Sequence, residues 1–151
     1  MEELMLNDEY YMREALKEAE LAYQEGEIPV GAVVVSEGRI IAKGRNATER
    51  LQDVTAHAEM LAITAAANYL GSKYLSECAL YITLEPCPMC AGALGWSQIG
   101  RIVYGASDAK RGFLRFGPAM LHPRTNRIAG VLESECSSLL LRFFKERRGA
   151  S

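Results

Sequence analysis

One histidine, two cysteines and one glutamate stand at spacings that could do metal chemistry. His57 and Glu59 lie in the run Thr55-Ala56-His57-Ala58-Glu59, and Cys87 and Cys90 lie in Glu85-Pro86-Cys87-Pro88-Met89-Cys90. An imidazole and two thiolates supply three zinc ligands. Three protein ligands leave one tetrahedral position open to water, the arrangement of a catalytic site. Zinc draws the pKa of such a water towards neutrality. A carboxylate two residues from the imidazole can then ferry protons beside it. These residue types point to metal-assisted hydrolysis with Glu59 as the proton carrier.

Each residue also has a plainer reading. A Cys-x-x-Cys pair can be a redox couple, which leaves His57 and Glu59 without a role. A structural zinc needs a fourth protein ligand, for which Cys78, Cys136 and His122 are candidates. Isolated cysteines ordinarily pack as small apolar residues, and a lone loop histidine is ordinarily solvated. Glu59 alone would be a surface acid. Residues two apart do not share a helix face, but the first turn is open enough to aim both side chains into one pocket. Only the catalytic reading uses all four residues.

Ordinary secondary structure must deliver these groups. Asn7-Asp8 can cap a helix to about Gln24, with Met12, Ala15, Leu16, Ala19, Ala22 and Tyr23 at helical spacing and Gly26 at its stop. Residues 28–35, the turn Glu37-Gly38 and residues 39–43 read as a β-hairpin. Residues 44–54 read as a polar loop. Thr55 is the expected cap of a helix over residues 57–70, ended by Gly71. Residues 79–84 form a strand closed by Pro86. Pro88 suits the first turn of the next helix, which runs to about Ser97 with Cys87 at its cap and Cys90 one turn inside. Residues 101–104 and 127–132 add strands on either side of a Gly-, Arg- and Phe-containing segment. Residues 133–148 form a final amphipathic helix. The pattern predicts one domain over residues 1–151, an α/β three-layer α/β/α sandwich around a mixed five-stranded sheet. Both metal-binding segments then begin helices, where the positive dipole end favours thiolate over thiol.

Composition narrows the class. At 151 residues and 49% hydrophobic, the chain can bury a full core without disulfides. It has no apolar run of the roughly 20 residues a membrane span needs, and Met1-Glu2-Glu3 is unlike the basic head of a secretory signal. A cytoplasmic location is therefore expected. The net charge of −2 hides an asymmetry. Nine acids face Arg13 and Lys17 up to Glu27, whereas Arg101, Lys110, Arg111, Arg115, Arg124 and Arg127 face Asp108 alone. Arg142, Lys145, Arg147 and Arg148 follow. Such clustering suggests a side that meets a polyanion.

The H-x-E…P-C-x-x-C pattern is that of the zinc-dependent nucleobase deaminases. Over nearly its full length the chain resembles the bacterial tRNA-specific adenosine deaminases. The pieces are Glu27-Ile28-Pro29-Val30-Gly31-Ala32-Val33, Gly44-Arg45-Asn46, the two metal-site runs continued through Ala91-Gly92-Ala93, Gly105-Ala106-Ser107-Asp108-Ala109-Lys110, and Phe143-Phe144-Lys145-Glu146-Arg147-Arg148. The last two are the more specific to the tRNA enzymes. The resemblance implies a cytidine-deaminase-like fold and one zinc per subunit, held by His57, Cys87 and Cys90, with Glu59 catalytic. It implies a homodimer acting on a tRNA anticodon loop and turning the wobble adenosine of an arginine tRNA into inosine. It assigns Asn46 to the flipped base and Ile28, Pro29, Val30 and Leu84 to the pocket wall. Asp108 and Lys110 would meet flanking nucleotides, and Phe143, Phe144 and Arg147 would position the loop, with core packing the plainer role for one ring. The run 111–117 is more basic and aromatic than the family pattern. A deaminase of free bases such as guanine or cytosine, and a non-catalytic zinc-stabilised RNA-binding module, are the competing readings.

Overall fold

Helix α1 (Asp8–Gln24) opens the chain in a computed structural model that describes residues 7–150. The acidic run Met1-Glu2-Glu3 lies outside the described residues. Asn7 caps α1 as expected, its Oδ1 accepting from the Tyr10 amide at 3.2 Å. Strands β1 (Gly31–Ser36) and β2 (Arg39–Arg45) form the hairpin around Glu37-Gly38, both in the left-handed region. The first strand begins three residues later than its apolar run. Pro29 has no N–H to give a ladder, and the Val30 amide instead bonds back to the Ile28 carbonyl at 2.9 Å.

The stretch expected as loop after β2 holds a short helix, α2 (Thr48–Leu51). Its cap comes from far away in sequence: the buried Glu27 carboxylate accepts from Glu49 N at 3.1 Å and Arg50 N at 2.7 Å. Helix α3 (Ala58–Leu70) ends at Gly71 in the left-handed conformation, as expected. The expectation that Thr55 caps it is corrected. His57 is the cap, and Thr55 turns its hydroxyl and amide to Asp53 Oδ1 at 2.7 and 2.8 Å.

Then come β3 (Cys78–Leu84), α4 (Pro88–Ser97) and β4 (Arg101–Ala106). Two 3₁₀ turns follow (Phe113–Arg115 and Pro118–Met120), then β5 (Asn126–Ala129) and α5 (Glu133–Ala150). The last strand is shorter than the apolar pattern because Gly130 and Leu132 both take positive φ.

The sheet order is β2-β1-β3-β4-β5, with β1 antiparallel to both neighbours and β3, β4 and β5 parallel. Side chains alternate across it. Ala32, Val34, Leu80, Ile82, Ile102 and Tyr104 pack with Ala58, Ala62, Ala91 and Leu94 of α3 and α4. Val33, Val35, Tyr81 and Val103 pack with Met12, Ala15 and Cys136 of α1 and α5. This is the expected α/β/α sandwich with a mixed five-stranded sheet. Gly44 sets how closely α3 lies on β2: a Cβ there would stand 2.3 Å from the Ala58 carbonyl oxygen. Among the described residues no helix is long and apolar enough to cross a membrane.

A bidentate ion pair ties the start of α1 to β4. Arg101 donates to both oxygens of Asp8 at 2.8 Å, and the Tyr81 hydroxyl donates to Asp8 Oδ1 at 2.7 Å. The Arg101 bonds hold the Asp8 carboxyl below its ordinary range against the opposing effect of burial. A depressed pKa means stability present above about pH 4 and lost as pH falls through the folded-state value. Asp8→Asn should therefore cost about 1–2 kcal/mol at pH 7 and progressively less as the pH falls below about 4. Urea unfolding of both proteins across that range reads the difference.

Candidate active site

Two helix starts meet at one end of the sheet. His57 is the cap of α3, with extended backbone (φ −79°, ψ 154°), and Cys87 is the cap of α4 (φ −75°, ψ 170°). Pro88 takes the first helical position of α4, where its missing N–H costs nothing, and Cys90 lies two residues further on. Because a cap residue is not yet helical, His57 and Glu59 escape the rule that sends residues two apart to different faces. Glu59 sits in the first turn of α3, 4% exposed.

His57 Nδ1 lies 3.4 Å from Cys90 Sγ and 3.7 Å from Cys87 Sγ. The ligand atoms of all three residues fall within 4.8 Å of one another. A zinc ion bound about 2.3 Å from sulfur and about 2.05 Å from nitrogen gives tetrahedral S–N edges of about 3.6 Å. The donor set therefore fits zinc in both chemistry and dimension. Among the described residues the cluster holds these three ligands and no fourth. Cys78 opens β3, Cys136 packs under the other face of the sheet, and His122 accepts from the Arg124 amide at 3.1 Å.

Charge is set by these contacts. Hydrogen bonds from Cys90 and His57 hold the Cys87 thiol down to about 4, although burial opposes them. The bond to Cys87, and then burial, keep the Cys90 thiol far above its ordinary value. The bond to Cys87 also raises His57, and burial opposes it. Burial pushes the Glu59 carboxyl up to about 7, which suits a group that gains and loses protons near neutral pH. A low-pKa first cysteine also belongs to redox pairs. Here an imidazole nitrogen flanks both sulfurs, and a buried carboxyl completes the group.

The substrate-side residues divide. Asn46 is buried directly after β2, its backbone N–H donating to the Val30 carbonyl at 3.0 Å. The next residue, Ala47, bonds to Ala56 at 2.9 Å, which stitches Asn46 to the turn bearing His57. Pro29 is buried and Ile28 exposed, whereas the Val30 side chain packs into the core with Ala32 and Ala58. Leu84 ends β3 just before the Cys87 turn. Asp108 turns its Oδ1 to the Lys110 and Arg111 amides at 3.2 and 3.0 Å, leaving the Lys110 side chain exposed. The C-terminal group is not brought to the cysteines. Phe143 packs on Tyr23 with ring centroids 5.9 Å apart. Arg147 lies over Phe143 at 4.8 Å and donates to the Gly26 carbonyl, and Phe144 is 40% exposed.

Glu85 has a role that sequence reasoning missed. Its buried carboxylate accepts from Asp108 N at 3.0 Å and Leu114 N at 3.1 Å. The Phe113 amide bonds to the Pro86 carbonyl at 2.9 Å. A Cβ on Gly112 would stand 2.0 Å from Glu85 Oε2, so only glycine fits there. The carboxylate two residues before Cys87 thus holds the loop after β4 against the site. Its signal in the sequence was an acid between an apolar strand and Pro86, with Gly112 far downstream. Glu85→Ala strands two loop amides and should cost about 1–3 kcal/mol. Glu85→Gln, which keeps one acceptor, should recover part of that. Denaturant unfolding and hydrogen exchange at Asp108 and Leu114 measure both.

Residues 5–106 match the cytidine and deoxycytidylate deaminase zinc-binding region. Over 149 residues the chain is 47% identical to the tRNA-specific adenosine deaminase of Bacillus subtilis (strain 168), covering 95% of this chain and 92% of that one. It is 46% identical over 148 residues to the tRNA-specific adenosine deaminase of Aquifex aeolicus (strain VF5), with 95% and 97% covered. A structure from studies of A-to-I editing by tRNA:A34 deaminases is 42% identical at a TM-score of 0.82, over 87% of this chain and 99% of its own. A guanine deaminase from Nitrosomonas europaea is 25% identical at a TM-score of 0.79, over 89% and 83%.

Proposed function

The chain belongs to the cytidine and deoxycytidylate deaminase family, and from that premise we propose that it hydrolyses the wobble adenosine of a tRNA anticodon, in an arginine tRNA, to inosine and ammonia. The observation that carries the substrate is the near end-to-end identity with tRNA-specific adenosine deaminases, 47% over 95% of this chain and 92% of its relative. The guanine deaminase from Nitrosomonas europaea shares 25% over a similar extent. Residues 1–151 act as one deaminase domain, in a cytoplasmic homodimer.

His57, Cys87 and Cys90 hold one zinc ion, which when bound supplies the Lewis acidity that makes water a nucleophile near neutral pH. The chain's own residues do the rest. Glu59 takes one proton from the attacking water and gives it to adenine N1. It then takes the second from the new C6 hydroxyl and gives it to the N6 amine, which departs as ammonia as the C–N bond breaks. Its burial keeps both protonation states accessible for that exchange. The same burial excludes bulk water from the reacting carbon. Asn46, buried and stitched to the turn bearing His57, orients the flipped base through its amide. Ile28, Pro29, Val30 and Leu84 line the pocket, Val30 chiefly from the core side. Asp108 and Lys110 meet the nucleotides flanking the edited base. Phe144 and Arg147, on the far side of the domain, steady the rest of the loop, with Arg147 already oriented by Gly26 and Phe143.

An anticodon stem-loop incubated with the purified chain should read as inosine by cDNA sequencing, while free adenosine, guanine and cytosine stay intact. Turnover of free guanine with the stem-loop untouched would reject the RNA reading. Glu59→Gln should lower turnover by roughly 10²- to 10⁴-fold while one zinc per chain remains bound. A mere zinc-stabilised RNA binder would have no turnover to lose. Cys90→Ser should cost both the zinc, measured by elemental analysis, and thermal stability, because metal binding is coupled to folding.

A further inference from the structure

The loop between β4 and β5 carries charge that the fold does not use. Of the earlier bases, six are paired among the described residues, Arg13 with Glu135, Lys17 and Lys43 with Glu14, Arg45 with Glu18 and Glu25, Arg50 with Glu25 and Arg101 with Asp8, while Arg39 and Lys73 are not. Among the described residues, Lys110, Arg111, Arg115 and Arg124 have no carboxylate within ion-pair distance. Asp108 is the single acid between Arg101 and Arg127, and its Oδ1 is turned to backbone amides of the same loop.

An aromatic ring stands among these cations. Phe116 is 67% exposed, and the Arg115 guanidinium lies 5.8 Å from its centroid. Phe113, three residues earlier, is fully buried against Tyr104. The segment is braced: Glu85 takes the Asp108 and Leu114 amides, Pro86 takes Phe113, and the Phe116 amide closes a 3₁₀ turn onto the Phe113 carbonyl at 2.9 Å. Arg115 is oriented by a bond to the Lys110 carbonyl. One 3₁₀ turn rises about 6 Å, so Phe116 stands close to the residue bonded to Pro86, the neighbour of Cys87. A ring of that size left in water on a braced turn, flanked by uncompensated guanidiniums, matches single-stranded nucleic acid. Bases stack on exposed rings without regard to sequence, and phosphates meet the cations.

We propose that Phe116, Arg111 and Arg115 form an RNA platform beside the active site, with Phe116 stacking on a base next to the edited nucleotide and the two arginines meeting its phosphates. It rests on the RNA-editing reading above and adds contacts that the zinc-site motifs do not specify.

The test uses the zinc-loaded full chain and an anticodon stem-loop, reading inosine formation, RNA affinity by anisotropy, and association state by sedimentation. Phe116→Ala should raise KM and Kd about tenfold with kcat unchanged, and Phe116→Trp should restore both. Arg111→Gln combined with Arg115→Gln should flatten the log–log salt dependence of binding by about 1.4. Tyr69→Ala, which removes another exposed ring on α3, should change neither affinity nor KM. Unchanged KM and Kd in Phe116→Ala would overturn the platform. So would a Phe116→Ala effect that follows a change in association state, which would mark the ring as a protein contact. If the wild type edits the stem-loop while Phe116→Ala loses nothing, only this inference falls. If the wild type neither edits nor binds it, the functional reading falls as well.

Discussion

Everything at the site depends on bringing two helix starts, 30 residues apart in the chain, to within hydrogen-bond distance of each other. The sheet does this. Strand β3 runs directly into the turn that becomes α4, and β2, two places away in the sheet, leads through α2 to the start of α3. At each start the cap residue keeps extended backbone, so its side chain points back along the axis instead of joining the helical face. Two caps, His57 and Cys87, can therefore converge with Cys90 from inside α4. Ordinary caps are serine, threonine, asparagine or aspartate, which satisfy the first amides. Neither His57 nor Cys87 makes a side-chain cap bond, so both helices forgo that stabilisation and keep the ligand atoms free for one another.

Three buried glutamates around this junction do three different things. Glu27 and Glu85 each give both carboxylate oxygens to backbone amides of another segment, Glu27 to α2 and Glu85 to the loop after β4. Buried charge is costly unless hydrogen-bonded in this way, and once bonded it fixes the segment that donates. Glu59 instead shares its surroundings with His57, Cys87 and Cys90, and burial moves its carboxyl up towards neutral pH. The first two carboxylates hold the walls of the site still.

Much of this was legible in the sequence because the signals are local. Asn7 as a cap, Glu37-Gly38 as a hairpin turn, Gly71 as a stop and Pro88 at a first helical position each depend on a few neighbouring residues. What was not legible depends on partners far along the chain. Helix α2 is too short to show periodicity, and it is capped by a residue over twenty positions away. Thr55 looked like a better cap than His57 because propensity favours it, yet Asp53 engages it first. Val30 is assigned to the pocket wall by resemblance alone, and its packing with Ala32 and Ala58 depends on how the chain enters β1. Glu85 carries no motif of its own, since its partners are main-chain amides that any residues could supply.

The same distinction explains why a net charge of −2 conceals a cationic surface. Glu14 and Glu18 of α1 and Glu25 after it are matched by arginines and lysines that fold against them, so that much of the charge there is offset locally. The bases after Arg101 fold into a loop whose one acid bonds to main chain, and their field is left uncompensated at the surface. A polyanion would respond to that local field, because screening confines each charge to about 10 Å at ordinary salt. Distant acids on α1 cannot cancel it. Composition therefore understates the attraction, and the pairing imposed by the fold determines where a negatively charged strand would lie.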